Sequence, residues 1–235
     1  MIPGWVVPPR ILKKTFANFS IIRYLDDMKK ILHIIASPRE DESRTLQISE
    51  AFLEVFLENH PDYILDELNL SKEDLPQLGT KSVSGKYMLL EGKDLFGRLK
   101  ESWAEILQYI EGFLSAELYI ISTPMWNFSI PYLLKQYIDL IVQPKYLFRY
   151  TESGKVEGLV KNKKMIVIVS RGGQYQTGEA KGFDFQEPYL RAIFGFVGIS
   201  DITFIIAEGM DSGNPEDRKQ RLQDAIASAK KLGSS

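Results

Sequence analysis

Three short segments of this 235-residue sequence carry residue types that bind ligands more often than they build a core. The first segment runs from Ser37 to Thr45 and places Ser43 and Arg44 at the start of a predicted helix. Hydroxyl groups, an arginine and the free N–H groups of a helix N-terminus together suit a phosphate group. Ser43 is also an ordinary helix cap that needs no ligand, and the acidic residues 40–42 weaken the case for phosphate. Both interpretations stay open on the sequence of this segment alone.

The second segment spans residues 124–131 and has the order Met125-Trp126-Asn127-Phe128 at its centre. Two large aromatic side chains in a surface loop need something to cover them. An aromatic face can lie beside a planar ring, and the Asn127 amide offers both a donor and an acceptor to the edge of that ring. The alternative is that Trp126 and Phe128 pack against a neighbouring loop or subunit.

The third segment is Ser170-Arg171-Gly172-Gly173-Gln174-Tyr175, which follows a predicted strand. Paired glycines let the main chain approach a ligand closely, and their N–H groups can then contact ring oxygens and nitrogens. A glycine turn that serves only backbone conformation is the alternative.

Five apolar runs alternate with helical patterns and predict a doubly wound α/β fold with a five-stranded parallel sheet. The predicted strands cover residues 31–36, 63–70, 118–121, 165–169 and 202–207. The predicted helices cover residues 43–59, 95–113, 131–140, 189–196 and 215–232, with a loop at 71–93 and a small hairpin at 148–160. With the strand order 2-1-3-4-5, the loops after strands one, three and four meet in one crevice. These are the three segments above, so together they predict a site for a phosphorylated planar cofactor.

Composition removes several other classes of protein. The formal net charge is −2, so no global positive field favours nucleic acid or anionic lipid. Cysteine is absent, which excludes disulfides, thiolate catalysis and iron–sulfur clusters. Two isolated histidines do not predict a metal site, and no apolar run of about 18 residues predicts a membrane span.

Residues 1–27 differ from the rest of the sequence. They contain Pro3, Pro8 and Pro9 and show no strand or helix period. We interpret them as an N-terminal extension that is disordered or arises from an upstream start, with a targeting or partner-binding arm as the alternative. The folded domain is predicted to cover residues 28–235.

The motifs of residues 28–235 resemble the FMN-dependent NADH:quinone oxidoreductases, also called azoreductases. The segments that carry the resemblance are Ser37 with Ser43-Arg44-Thr45, Pro124-Met125-Trp126-Asn127-Phe128, Lys135 to Leu140, Phe148 to Glu152 with Gly154, Gly158-Leu159, Ser170-Arg171-Gly172-Gly173, Tyr189 to Arg191, Phe194 to Ile199 and Ala207-Glu208-Gly209.

The resemblance implies a flavodoxin-like fold and a bound FMN. The resemblance assigns binding of the FMN phosphate to Ser37, Ser43, Arg44 and Thr45. It assigns contact with the flavin and its ribityl chain to Met125, Trp126, Asn127 and Phe128, and it places Ser170, Arg171, Gly172 and Gly173 beside the isoalloxazine ring. No side chain is expected to act as a catalytic nucleophile, because the flavin N5 carries the hydride.

The same resemblance implies NADH as the electron donor and quinones and azo compounds as acceptors, which react in two separate steps. It also implies a homodimer with the site near the subunit interface, and we expect a cytoplasmic protein. One alternative is a non-enzymatic, flavodoxin-like FMN electron carrier, although such carriers are usually far more acidic. A flavin-free interaction protein that kept the fold is the other.

Overall fold

Continuous runs of β-branched and other apolar residues form the strands of the chain. The computed structural model describes residues 28–39 and 42–235, and the predicted extension at 1–27 lies outside these described residues. The strands are β1 (Lys29–Ile35), β2 (Tyr63–Asn69), β3 (Leu118–Pro124), β4 (Phe148–Tyr150), β5 (Val156–Gly158), β6 (Lys164–Ser170) and β7 (Asp201–Ala207).

Five of these strands form one parallel sheet in the order β2-β1-β3-β6-β7, and β4 and β5 pair separately as an antiparallel hairpin. The predicted order 2-1-3-4-5 counted only the five sheet strands. Because the hairpin lies between the third and fourth of them in the chain, the same neighbours carry different numbers here. The flavodoxin-like α/β fold with a five-stranded parallel sheet is therefore present.

Helices cover both faces of the sheet, as the mostly apolar central strands require. They are α1 (Arg44–Asn59), α2 (Thr80–Leu90), α3 (Gly97–Ser102), α4 (Ala104–Leu114), α5 (Tyr132–Ile141), α6 (Gln186–Val197) and α7 (Pro215–Gly233). Ile48 and Phe52 of α1 pack with Ala225 of α7 on one face. Phe113 of α4 and Phe194 of α6 belong to the core on the other. In the described part of the chain, no helix is both long and apolar enough to cross a membrane.

Two sequence predictions about the helices were wrong. The predicted loop at 71–93 contains helix α2, whose buried positions are Ser82, Gly85 and Leu89. Two of these three residues are small, so the helix has no apolar period for a sequence pattern to detect. A Cβ on Gly85 would lie 2.3 Å from Trp103 Nε1, so the helix packs directly on this fully buried indole.

The single helix predicted at 95–113 is instead two helices, α3 and α4, which meet at Trp103. Trp103 ends the first helix and precedes the second, with φ −99° and ψ −4°. Its side chain is completely buried. No glycine or proline marks this break, which coincides with the buried indole.

The three predicted ligand-binding segments begin side by side at the carboxyl edge of the sheet. Pro124 pairs with Ser170 in the ladder between β3 and β6, and the Met125 N–H donates to the Ser170 carbonyl at 2.9 Å. The Ala36 N–H donates to the Ser122 carbonyl, also at 2.9 Å. The sheet register therefore brings the ends of β1, β3 and β6 together.

Candidate functional site

A cavity of about 240 Å³ opens at this carboxyl edge. All three predicted segments contribute to it, and a fourth loop, after β7, contributes Asp211. Its lining residues are Ser37, Pro38, Arg39, Ser43, Arg44, Pro124, Met125, Trp126, Ser170, Arg171, Gly172 and Asp211. A crevice at the ends of parallel strands is where open α/β sheets bind their ligands.

One end of the cavity is built around the N-terminus of α1. Ser43 is the N-cap, and its hydroxyl accepts a hydrogen bond from the Leu46 N–H at 3.4 Å. The Ser43 and Thr45 hydroxyl oxygens lie 2.9 Å apart, and both residues are buried. Arg44 follows as the first helical residue, and its Nη1 donates to Asp211 Oδ1 at 2.9 Å. A helix N-terminus and a guanidinium therefore face the same space, which is the chemistry of an anion site.

The aromatic loop after β3 makes a tight turn. Trp126 and Ser129 exchange two backbone hydrogen bonds of 2.9 Å, and the two residues between them, Asn127 and Phe128, have φ values of 48° and 69°. Positive φ is uncommon outside glycine, and for a bulky residue such as Phe128 it is a real strain. Trp126 and Phe128 remain 40% and 43% exposed, so the described residues cover each ring only in part. The Phe128 ring lies near the Phe183 and Tyr175 rings, so packing against neighbouring segments of the chain accounts for part of its burial.

The glycine loop after β6 lies against the acidic residue of the fourth loop. Neither Gly172 nor Gly173 has a positive φ, so backbone conformation does not require glycine here. Glycine is instead required by the limited space: a Cβ on Gly172 would lie 2.6 Å from Asp211 Oδ2, and one on Gly173 would lie 3.2 Å from the Tyr175 ring. Their carbonyls accept from Asp211 and Gly209, whereas their N–H groups have no acceptor among the described residues. These two N–H groups can therefore donate to a ligand.

A larger groove of about 880 Å³ adjoins the cavity, and Trp126 lines both. The groove also takes in Asn127, Tyr132 and Tyr189. Burial, and then the negative charge of Asp139, raises the pKa of Tyr189 to about 12. Tyr189 therefore keeps its proton at neutral pH and is able to donate a hydrogen bond.

The structure brings most of the predicted site residues together, but not all. Eight of them line the cavity: Ser37, Ser43, Arg44, Met125, Trp126, Ser170, Arg171 and Gly172. Asn127 lines the adjoining groove. The Phe128 ring lies 5.3 Å from the Phe183 ring and 6.1 Å from the Tyr175 ring, outside both spaces. Thr45 lies behind Ser43, and Gly173 also lies outside the cavity lining.

Asp211 and Glu208 belong to the loop after β7 and received no site role from the sequence, although Ala207-Glu208-Gly209 is one of the segments that carry the family resemblance. The rule that ligands bind at the ends of parallel strands applies to β7 as well. The Arg44–Asp211 pair joins residues 167 positions apart, a contact that local patterns do not reveal.

The described residues contain no group of three His, Cys, Asp or Glu placed to hold a metal ion. His33 is buried in β1 with its Nε2 2.8 Å from the Ser122 hydroxyl, as expected of a core histidine. Its Nδ1 lies 3.4 Å from Glu67 Oε1, and this contact lowers the pKa of the Glu67 carboxyl.

Known proteins share both this fold and these segments. A family model described as flavodoxin-like fold matches residues 29–232. The FMN-dependent NADH:quinone oxidoreductase of Nitratidesulfovibrio vulgaris is 37% identical over 206 residues, covering 87% of this chain and 98% of the relative.

Two solved structures are similar over nearly their whole length. An azoreductase from Bacillus anthracis strain Sterne superposes with a TM-score of 0.79 at 29% identity, over 88% of this chain and 99% of its own. An FMN-dependent NADH-azoreductase from Bacillus anthracis strain Ames Ancestor, solved in complex with FMN, gives a TM-score of 0.75 at 28% identity, over 88% and 100%.

Fold and cavity define an α/β protein of the flavodoxin-like class with a cavity at the carboxyl edge of the sheet. Within that class, the chain belongs to the family that contains the FMN-dependent NADH:quinone oxidoreductases and azoreductases.

Proposed function

We propose that this chain is an FMN-dependent oxidoreductase that uses NADH to reduce quinones and to cleave aromatic azo compounds. One observation carries the proposal: a single cavity joins an anion site at the start of α1 to unpaired main-chain donors and an aromatic loop. The relatives named above are FMN-dependent NADH:quinone oxidoreductases and azoreductases, which supports an enzyme over a non-enzymatic electron carrier.

The residues present fit the phosphate end of FMN. The N-terminus of α1, the Arg44 guanidinium and the hydroxyls of Ser37 and Ser43 supply donors and positive charge to a dianion. Thr45 acts on this end through Ser43, since the two hydroxyls lie 2.9 Å apart. The carboxylate of Asp211 neutralises part of the Arg44 charge before a phosphate binds.

The residues also fit the ring end. The N–H groups of Gly172 and Gly173 are the donors left for the polar edge of a flavin, and Met125 and Trp126 supply the apolar surface beside it. When bound, FMN supplies the two-electron chemistry that the side chains of this cysteine-free sequence do not provide. In this proposal, the protein orients the ring, limits water around it and leaves the groove beside Trp126 open to flat acceptors.

We also propose a homodimer. Trp126, Phe128, Tyr132, Phe183 and Phe185 are all at least 40% exposed. A second subunit is the usual cover for aromatic surface of this kind. Sedimentation equilibrium of the purified chain distinguishes a dimer from a monomer. A cytoplasmic location, where NADH is available, stays a prediction from the sequence.

Steady-state kinetics provide a test of the reaction scheme. We expect parallel double-reciprocal lines when NADH is varied at several fixed concentrations of a quinone. The reason is that donor and acceptor use one face of one ring in turn, so neither needs the other to be bound. Lines that intersect would indicate a complex with both reactants bound and would contradict the shared slot.

A further inference from the structure

Arg171, which the sequence analysis assigned to the cofactor, directs its side chain into the protein. The guanidinium is completely buried. Its Nη1 donates to Glu208 Oε1 at 3.0 Å, and its Nε donates to Gln186 Oε1 at 3.2 Å. Its Nη2 lies 3.0 Å from Asp184 Oδ2 in a geometry that makes an ion pair but not a hydrogen bond. We call these four residues the Arg171 cluster: Arg171, Asp184, Gln186 and Glu208.

The main chain of Arg171 is occupied as well. Its N–H donates to the Ala207 carbonyl at 2.9 Å, and its carbonyl accepts from the Met210 N–H at 2.9 Å. The polar groups of Arg171 are therefore engaged with the protein, although the residue borders the cavity. This leaves it little capacity to bind a ligand directly.

The partners of Arg171 each hold a separate part of the site. Glu208 accepts from the Tyr175 N–H at 2.9 Å and from the Gln176 N–H at 3.3 Å, which fixes the end of the glycine loop. Asp184 Oδ1 accepts from the Gln186 and Glu187 N–H groups at 3.0 and 3.2 Å and so caps helix α6. The cluster thus anchors one loop and one helix to the same buried charge.

Gln186 extends this anchor to the aromatic loop. Its Nε2 donates to the Pro124 carbonyl at 2.9 Å, where that loop begins. The neighbouring Phe185 N–H donates to the carbonyl of Phe128, at 3.0 Å, within the strained turn. A residue held at an unfavourable φ persists only when its surroundings fix it from several sides. Residues 184–186 supply that constraint, and Arg171 fixes residues 184 and 186.

We propose that Arg171 is a positioning residue for the ring of the bound cofactor: through its two carboxylates and Gln186 it sets the glycine loop and the strained aromatic turn relative to each other. The inference rests on the proposed function, because the ring in question is that of FMN. The Asp184 and Glu208 side chains are each only 12% exposed, so loss of the guanidinium leaves two nearly buried carboxylates without a partner.

The test measures binding of FMN and of riboflavin to the purified full chain and to its Arg171→Met variant. We expect both ligands to weaken by the same factor, at least tenfold, because the cluster acts at the ring end that they share. The reduction potential and visible spectrum of the remaining bound flavin are also expected to shift. All measurements are made at a temperature at which circular dichroism shows the variant folded.

Two further variants separate positioning from general stability. Tyr119→Phe removes a buried hydrogen bond to the Phe113 carbonyl, remote from the cavity, and is expected to lower Tm without changing either affinity or the potential. Glu208→Gln keeps the shape of that side chain but removes its charge. Glu208→Gln is expected to weaken the binding of FMN and riboflavin equally, by a smaller factor than Arg171→Met does. If Arg171→Met does not fold, Glu208→Gln is the variant that tests the proposal.

Several results would overturn the inference. Weakened FMN with unchanged riboflavin would make Arg171 a phosphate ligand. Unchanged affinity and potential in a folded variant would make the cluster purely structural. Wild-type chain that binds neither flavin would overturn the proposed function as well, whereas wild-type binding with unchanged variants overturns this inference alone.

Discussion

Replacing Arg44 and Thr45 together by alanine is expected to weaken FMN binding by at least about tenfold and to leave riboflavin binding nearly unchanged. Arg44 brings the only guanidinium of helix α1 to the cavity, and Thr45 lies 2.9 Å from the Ser43 hydroxyl at the helix N-terminus. Hydrogen bonds to a charged group contribute roughly 1.5–3 kcal/mol each. Since about 1.4 kcal/mol is a factor of ten in affinity, loss of these partners exceeds one decade.

Riboflavin is the internal control because it lacks the phosphate but shares the ring. A second control is Arg149→Ala, which removes an arginine paired with Glu157 on the hairpin, outside the cavity lining. This variant should bind both ligands as the wild type does. Equal weakening of FMN and riboflavin in the double variant, or no weakening of either, would show that the start of α1 does not hold the phosphate.

Replacing Gly158 by alanine is expected to lower Tm by roughly 6–12 °C. A Cβ at this position would lie 2.4 Å from both the Gly198 nitrogen and the Val197 carbonyl carbon, and 2.6 Å from the Val197 oxygen. These are main-chain atoms, so they cannot rotate aside. Overpacking of this kind costs about 3 kcal/mol. In a chain of this size, each kcal/mol lost from the free energy of unfolding lowers Tm by about 2–4 °C.

The matched control is Gly195→Ala, in helix α6 itself. A Cβ there meets no atom within 4 Å, and alanine is the better helix former by about 0.5–1 kcal/mol. Its Tm should equal or exceed that of the wild type. If differential scanning calorimetry gives Gly158→Ala and Gly195→Ala the same Tm, the hairpin does not pack against the end of α6 as described.

The sequence predicted the sheet well because its strands are long apolar runs. Most residues of β1 and β3 are apolar, so these strands are expected in the buried centre of the sheet. The preference for right-handed connections between parallel strands then limits the possible strand orders. The location of the site followed from the same argument, since three unusual loops all come after strands. The order of apolar runs, helical patterns and unusual loops along the chain therefore indicated both the fold class and the edge at which the cavity opens.

Features that depend on distant packing were not predictable in this way. Helix α2 packs Gly85 against the Trp103 indole and also buries Ser82, so its buried face shows no apolar pattern in the sequence. The side-chain partners of Arg171 were not predictable for the same reason. Its three side-chain partners are Asp184, Gln186 and Glu208, which lie 13 to 37 positions along the chain and look like ordinary polar surface in the sequence.

The most direct test of the central claim is an anaerobic titration of the FMN-loaded protein with NADH, followed by visible absorbance. We expect the flavin band to disappear with one NADH per bound FMN and to return when a quinone is added. A protein that takes up no FMN, or one whose flavin band does not change with NADH, would contradict the account.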